Sequence, residues 1–296
     1  MNFDEIVKKV ETLDGLTLDQ LFELWKDAQK AEKGWEKTTV PVDGGRLMDH
    51  FTEDGIIDPQ AYDKAECKIL VVLKEANIAE NKEDAFYLKK DDHRVWYNEF
   101  VNGEYNASSR KVMYRNEIAD NNSCQKQLIG RMSYLLQQYW RDATCSGSIP
   151  TVKQIQDALK KTAVMNLNKR GGGKALKKRI FKNYCKKYAV FIKKEIELIN
   201  PDIIVWCVPE IANPKQVFEI PLDKVIIPMI HPAGAIYIRN NNPDLLLKGT
   251  ELNVFCDKLW NMDKNEYMDC RRSVVKYMLI FKTRAIKAID SGKLKL

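Results

Sequence analysis

The sequence predicts an α/β protein: a four-stranded, mainly parallel sheet flanked by helices, with extra helical elements at the N- and C-terminal ends. Three observations predict it. Four short apolar runs, 68–73, 163–167, 203–208 and 225–230, are rich in β-branched residues and lack strict alternation, the pattern of strands covered on both faces. Stretches of helical period occupy the connections, and strand–helix–strand alternation builds parallel sheets. A chain of 296 residues with 45% hydrophobic content can fill the core that such a sheet needs.

In chain order, residues 1–60 read as a helical cap and loop. Asp14 to Lys33 carries Leu18, Leu21, Phe22, Leu24, Trp25 and Ala28 at helical spacing, with Thr17 an N-cap three residues before Gln20. Beyond Gly34 the pattern dissolves among Pro41, Gly44, Gly45, Gly55 and Pro59. Residues 61–250 form the α/β core. Its first strand precedes a long section, Asn77 to Ser148, that holds a helix near Gln125 to Tyr139. Between the second and third strands, Ala175 to Ile199 reads as one amphipathic helix, apolar at Leu176, Ile180, Tyr184, Tyr188, Phe191, Ile192, Ile196 and Ile199. Residues 251–296 supply C-terminal helices packed on the core, Glu251 to Trp260 and Arg271 to Asp290.

Composition narrows the function. The longest apolar run, Ile203 to Val208, is six residues, against the roughly 18 that a membrane-spanning helix needs. The acidic start, Met1-Asn2-Phe3-Asp4-Glu5, is unlike a secretion signal, so a cytoplasmic location is expected; separately, the chain is expected to be a monomer. Seven cysteines lie at least 14 residues apart with no CxxC pair, and the three histidines, His50, His93 and His231, are far apart. No structural metal and no cofactor are therefore expected. The formal net charge of +7 is concentrated: Ala158 to Lys194 holds thirteen basic residues and no acid. Such a cluster is either a polyanion footprint, favoured by counterion release from phosphates, or a solvated helix face.

Ligands of an open parallel sheet bind beyond the carboxyl ends of its strands. The residues there are Lys74-Glu75-Ala76-Asn77 after the first run, Asn166 with Asn168-Lys169-Arg170 at the second, and His231-Pro232-Ala233-Gly234 after the fourth. A carboxylate to orient water, an amide to read a polar ring edge and an imidazole to stabilise a departing anion suit hydrolysis. Singly, each is better explained by a helix cap or a solvated loop; it is their joint occurrence at three of four strand ends that points to a site. The third run ends in Pro209-Glu210, and no role is assigned to Glu210. Gly171-Gly172-Gly173 ahead of Lys174 reads either as a flexible turn or as amides at a helix N-terminus facing a phosphate.

These residues, in this order, resemble the uracil-DNA glycosylase superfamily. Glu75-Ala76 after an apolar strand is similar to its first motif, and His231-Pro232-Ala233 to its H-P-S motif. Ile199-Asn200-Pro201-Asp202-Ile203-Ile204-Val205 matches its helix-to-strand passage, and Met165-Asn166-Leu167 resembles the strand end that supplies its base-reading asparagine. The correspondence covers about Lys68 to Gly234. Lys74 stands in place of the usual glycine, Asn77 in place of proline, and Ala76 where some branches place a catalytic acid or amide. No tyrosine follows directly to exclude 5-methyl groups.

What the resemblance implies is hydrolysis of the N-glycosidic bond of a pyrimidine rotated out of DNA, leaving an abasic site. The base would be uracil or, given the missing tyrosine, a C5-modified cytosine such as those of phage DNA, which would make the enzyme one of defence and not of housekeeping repair. Glu75 and His231 would be catalytic. Asn166, Ala76, Asn77 and an aromatic such as Phe86 or Tyr87, with Trp96 and Tyr97 behind, would hold the base. Lys74, Lys169, Arg170, Gly172, Lys174, Lys177, Lys178 and Arg239 would contact the DNA backbone. A non-catalytic nucleic-acid-binding module on the same fold and a nucleoside or nucleotide hydrolase are the alternatives.

Overall fold

The computed structural model describes residues 1–32, 51–77, 97–98, 101–102, 121–142, 150–172, 177–232, 238, 242–245 and 268–291. Five strands form one mostly parallel, mixed sheet: β1 (Gly55–Ile56), β2 (Ile69–Asn77), β3 (Thr162–Gly172), β4 (Ile203–Trp206) and β5 (Val225–Pro228), in the spatial order β1-β3-β2-β4-β5. β2 to β5 are mutually parallel, and β1 pairs antiparallel on the outside of β3. The four expected strands are thus joined by a fifth, from the segment read as loop. Its signal was too short for an apolar pattern, and Gly55 sits at φ +114°, where a side chain would be strained.

Helices cover both faces. α1 (Phe3–Thr12), α2 (Leu18–Lys30), α6 (Lys178–Lys187) and α7 (Ala189–Ile199) lie on one side, and α4 (Asn121–Arg141), α5 (Val152–Lys160) and α9 (Met268–Asp290) on the other. Two short helices complete the described fold, α3 (Pro59–Asp63) and α8 (Pro214–Val217). Alternate strand residues divide between two cores. Leu70, Val72, Ala163, Met165, Ile204 and Trp206 meet the first group of helices, while Ile69, Val71, Leu73, Val164, Ile203 and Val205 meet the second. The N-terminal helices share their core with the sheet: Leu21, Phe22 and Trp25 are fully buried in it.

Local chemistry explains the helix ends. Thr17 caps α2 as the sequence predicts, its hydroxyl accepting from Gln20 N–H while the Gln20 side chain accepts from Thr17 N–H. α7 ends on Asn200 in the left-handed conformation at φ 46°, a position asparagine tolerates, and Pro201 prevents continuation. Asp202 Oδ2 then accepts from Lys68 N–H at 2.7 Å, tying the start of β4 to the start of β2. The helix-to-strand passage from Ile199 to Val205 thus fixes the start of β4 against β2.

Two expected boundaries move. The single helix read over Ala175 to Ile199 is two helices that meet at Tyr188 (φ −99°, ψ 21°). That residue is held from several sides, its ring 4.6 Å from that of Tyr184 and 6.1 Å from that of Trp25, its hydroxyl donating to Glu32 at 2.8 Å. β2 and β3 also outrun their apolar cores, because they continue to pair through Glu75↔Asn168 and Asn77↔Gly172. Glu75, Ala76 and Asn77 are strand residues, and so are Gly171 and Gly172. Gly171 and Gly172 are consequently not at a helix N-terminus, and α6 begins at Lys178; Gly173 lies outside the described residues. No helix among the described residues is long and apolar enough to cross a membrane.

Candidate functional site

The four parallel strands are visited in the order second, first, third, fourth across the sheet. From β2 the chain moves outward to β3 through α4 and α5 on one face. It then crosses back over β2 to β4 through α6 and α7 on the other. The direction reverses between β2 and β4, and beyond the carboxyl ends of such a pair an α/β sheet opens a crevice.

Three charged or polar side chains meet there from three strands. Lys74, on β2, lies 3.4 Å through Nζ from Glu210 Oε1, in the turn after β4. Both side chains are about one-fifth exposed, at 20% and 21%. The Lys74 ammonium also stands 5.4 Å from the centroid of the Phe181 ring on α6. His231, three residues past β5, is partly buried beside them. Burial pushes its pKa down to about 4; the Lys74 charge adds to the depression and the Glu210 charge opposes it. The imidazole is therefore neutral near pH 7.

The framework around this trio is tightly bonded. Trp206 Nε1 donates to the carbonyls of Val208 at 2.8 Å and Ile211 at 3.1 Å, closing the turn that carries Glu210. The Tyr277 hydroxyl donates to Ile230 O at 2.7 Å, and Arg284 Nη1 donates to Pro228 O at 2.9 Å, so α9 fixes the segment leading to His231. Arg284 is in turn held by Asp244 through Nε and Nη2 at 2.9 and 2.8 Å.

The residues expected to act from β3 are placed differently. Asn166 is buried, and Asp54 Oδ2 accepts from both its backbone N–H, at 2.7 Å, and its Nδ2, at 3.0 Å. Asn168 is the register partner of Glu75. It too is buried, with Oδ1 accepting from Arg170 N–H at 3.1 Å; a backbone N–H can only donate, so the amide's orientation is settled and Nδ2 is its donor end. Lys169, expected on the DNA backbone, is instead fully buried. Its Nζ donates to Asp54 Oδ1 and to Glu195 Oε1, the latter at 2.8 Å, between the rings of Phe22 and Trp25. Glu195 Oε2 has no hydrogen-bond partner of standard geometry, and burial raises the Glu195 pKa well above the carboxylate range against the pull of Lys169. Arg170 is largely buried as well, paired through Nη2 with Glu32 and with the Tyr188 hydroxyl at 3.1 Å. Strand alternation explains Lys169, which continues the face of Ala163, Met165 and Leu167 towards the helices that cover it; its neighbour Arg170 comes to the same side, with its guanidinium against the rings of Tyr184 and Tyr188.

The basic cluster splits accordingly. Lys177, Lys178, Arg179, Lys182 and Lys186 are exposed on and just before α6, whose Phe181 lies under Lys74. The basic face thus begins at the rim. Gly172 pairs within the sheet, and Tyr97 is buried in the core. Phe86, Tyr87, Trp96, Lys174 and Arg239 lie outside the described residues, and Glu75, Ala76 and Asn77 are described by their backbone alone. Sequence reasoning names Glu210 and Asn168 at the rim but gives neither a role. The polar tail of β3 carries no apolar pattern that would show Asn168 pairing with Glu75, and the position of Glu210 beside Lys74 depends on the strand order.

Among the described residues no group of three or more His, Cys, Asp or Glu side chains is arranged to hold a metal ion. Two cavities lie away from the rim, one of about 740 Å³ along β5 near Trp206, Pro214 and Leu222, the other of about 350 Å³ between α1 and α7. Compared with protein-family models, with curated proteins and with solved structures, the chain matches none.

Proposed function

We propose that this chain is a monofunctional DNA glycosylase that hydrolyses the N-glycosidic bond of a pyrimidine turned out of the duplex, with a C5-modified cytosine of phage DNA favoured over uracil. The observation that carries the reading is the convergence at one rim: the strand bearing Glu75, the neutral His231 after β5 and the start of a basic helix all lie at the carboxyl end of the sheet, at its switch point. Extruding a base costs a few kcal/mol and must be offset by backbone contacts and base-edge hydrogen bonds. The exposed cations of α6 would supply the first. Asn168 Nδ2 is a better placed amide donor for the second than Asn166, whose amide is committed to Asp54.

In this reading Glu75 stabilises an oxocarbenium-like transition state and orients water, and His231 donates a hydrogen bond to the departing base. A neutral imidazole is a competent donor and costs no proton at the end of the reaction. One feature favours a second reading, a binding module without chemistry: the switch crevice, where the glycosylases place glycine, holds the Lys74–Glu210 pair.

The test is incubation with duplexes carrying uracil, a thymine mismatch or glucosylated hydroxymethylcytosine, followed by alkali to cleave abasic sites. Base release from at least one duplex is expected, with loss of release in Glu75→Gln and a 10²–10³-fold slower step in His231→Ala. DNA binding without release from any duplex would leave the binding-module reading standing.

A further inference from the structure

Among the described residues, Glu210 is the acid that pairs with Lys74 at the switch crevice, and the trio it joins has a definite charge. The Lys74–Glu210 ion pair carries no net charge and His231 is neutral, so these three side chains add no net charge of their own beside the basic helix. A lysine one-fifth exposed and unpaired would lose hydration without recompense or swing into solvent. The carboxylate at 3.4 Å holds it between the ends of β2 and β4, above Phe181. Glu210 is itself fixed by the turn that the Trp206 indole closes.

We infer that Glu210 is a positioning residue of this site: it anchors the Lys74 ammonium and balances its charge beside His231, which fits the crevice to the polar edge of an uncharged heterocycle and not to a phosphate. The inference rests on the glycosylase reading for its substrate and on geometry alone for the arrangement. A phosphate entering here would meet Glu210 as well as Lys74, whereas α6 itself carries no acid and, of its cations, Lys187 at the far end is the one paired with a carboxylate, Glu32, among the described residues. The separation of the two surfaces is what a base-extruding enzyme requires, with phosphates on the helix and a base edge in the crevice.

Among the described residues, Lys74 from β2 and Glu210 from the turn after β4 act on the charge of His231. On α9, Tyr277 and Arg284 bind the carbonyls of Ile230 and Pro228, Arg284 with Asp244 as its counter-ion. With three histidines in the chain, the His231 ring proton can be assigned by comparison with His231→Gln and followed by NMR against pH. Glu210→Gln should lower the His231 midpoint, so that the ring stays neutral to the acid limit of folding; Lys74→Met should raise it, and the double variant should fall between. In parallel, Glu210→Gln should slow single-turnover base release about 10- to 100-fold, as expected for a small misplacement at a reacting centre, with DNA affinity unchanged. A His231 midpoint that stays put or rises in Glu210→Gln overturns the inference, as does a loss of DNA affinity equal to the loss of rate. If the parent protein releases no base, the glycosylase reading fails and the NMR comparison still decides the placement of Glu210.

Discussion

Lys169 and Lys74 stand near the carboxyl ends of neighbouring strands, each meets carboxylate and each lies over an aromatic ring, yet they belong to different kinds of chemistry. Lys169 is sealed. It and its partners Asp54 and Glu195 have side-chain exposures of 0%, 2% and 0%, with the rings of Phe22 and Trp25 about 5.3 and 5.4 Å away. Lys74 and Glu210 remain one-fifth open, at the crevice. The sealed network joins three elements that are distant in sequence, the segment before β1, the end of β3 and the middle of α7, and it leaves no face for a ligand. The open pair leaves one. Burial, and not residue type, separates a cation that holds the fold from one that serves a site.

The largest effect available to test that contrast is on folding. Removing one partner of a buried ion pair strands the others in a low-dielectric interior, typically at a cost of 3–5 kcal/mol. Lys169→Met should therefore destabilise by about 3–5 kcal/mol in urea unfolding, whereas Lys74→Met, at a part-exposed pair, should cost about 1 kcal/mol or less. Equal losses would mean that the two networks do not differ in kind.

Next in size is a pH effect inside the sealed network. Asp54 accepts from Asn166 N–H, Asn166 Nδ2 and Lys169 Nζ, so it is well supplied with donors. Glu195 accepts from Lys169 through Oε1, and its pKa is raised well above its ordinary value of 4.5 by burial first and then, against the pull of Lys169, by the charge of Asp54 and a hydrogen bond with it. The native state thus keeps a proton that the unfolded chain releases above about pH 4.5, and stability falls as pH rises from there towards the native pKa. Glu195→Gln retains an acceptor for Lys169 and a donor towards Asp54 but has no proton to lose. Its stability relative to the parent should grow steadily between pH 4.5 and pH 8, read from urea midpoints. A difference that is constant with pH, or largest in acid, would show that Glu195 is ionised in the native protein.

The contrast between the two lysines also marks what the sequence could tell. β-Branched runs gave the four parallel strands, and the Thr17–Gln20 spacing gave the start of α2, because both are local signals. Apolar pattern stops where a strand turns polar, so the last residues of β2 and β3 read as loop although their backbone pairing continues. That is why Lys169 looked like a phosphate contact, and why Asn168 was overlooked as the partner of Glu75. The two-residue β1 has no pattern of its own; its place depends on Gly55 and on Asp54 reaching Lys169, a contact across 115 positions. Glu210 became visible only when the strand order showed that β4 borders the switch point.

The smallest effect on folding, and the one that completes the series of burial, belongs to the fully exposed cations. Lys178 and Lys182 are four residues apart on α6 and share a face. Both are open to solvent, so reversing them to glutamate should change unfolding stability by no more than about 0.5 kcal/mol. Their expected contribution appears only in DNA binding, where a cation that neutralises a phosphate releases about 0.9 of a counterion. The double variant should bind every duplex more weakly at low salt, and the slope of log affinity against log salt should become shallower by about 1.8 when both reach phosphates. Because neither side chain reads a base, the loss should be the same on modified and unmodified DNA. Binding curves that overlay those of the parent from 50 to about 200 mM salt would mean that α6 is an ordinary solvated face, and that the DNA path runs over another part of the rim.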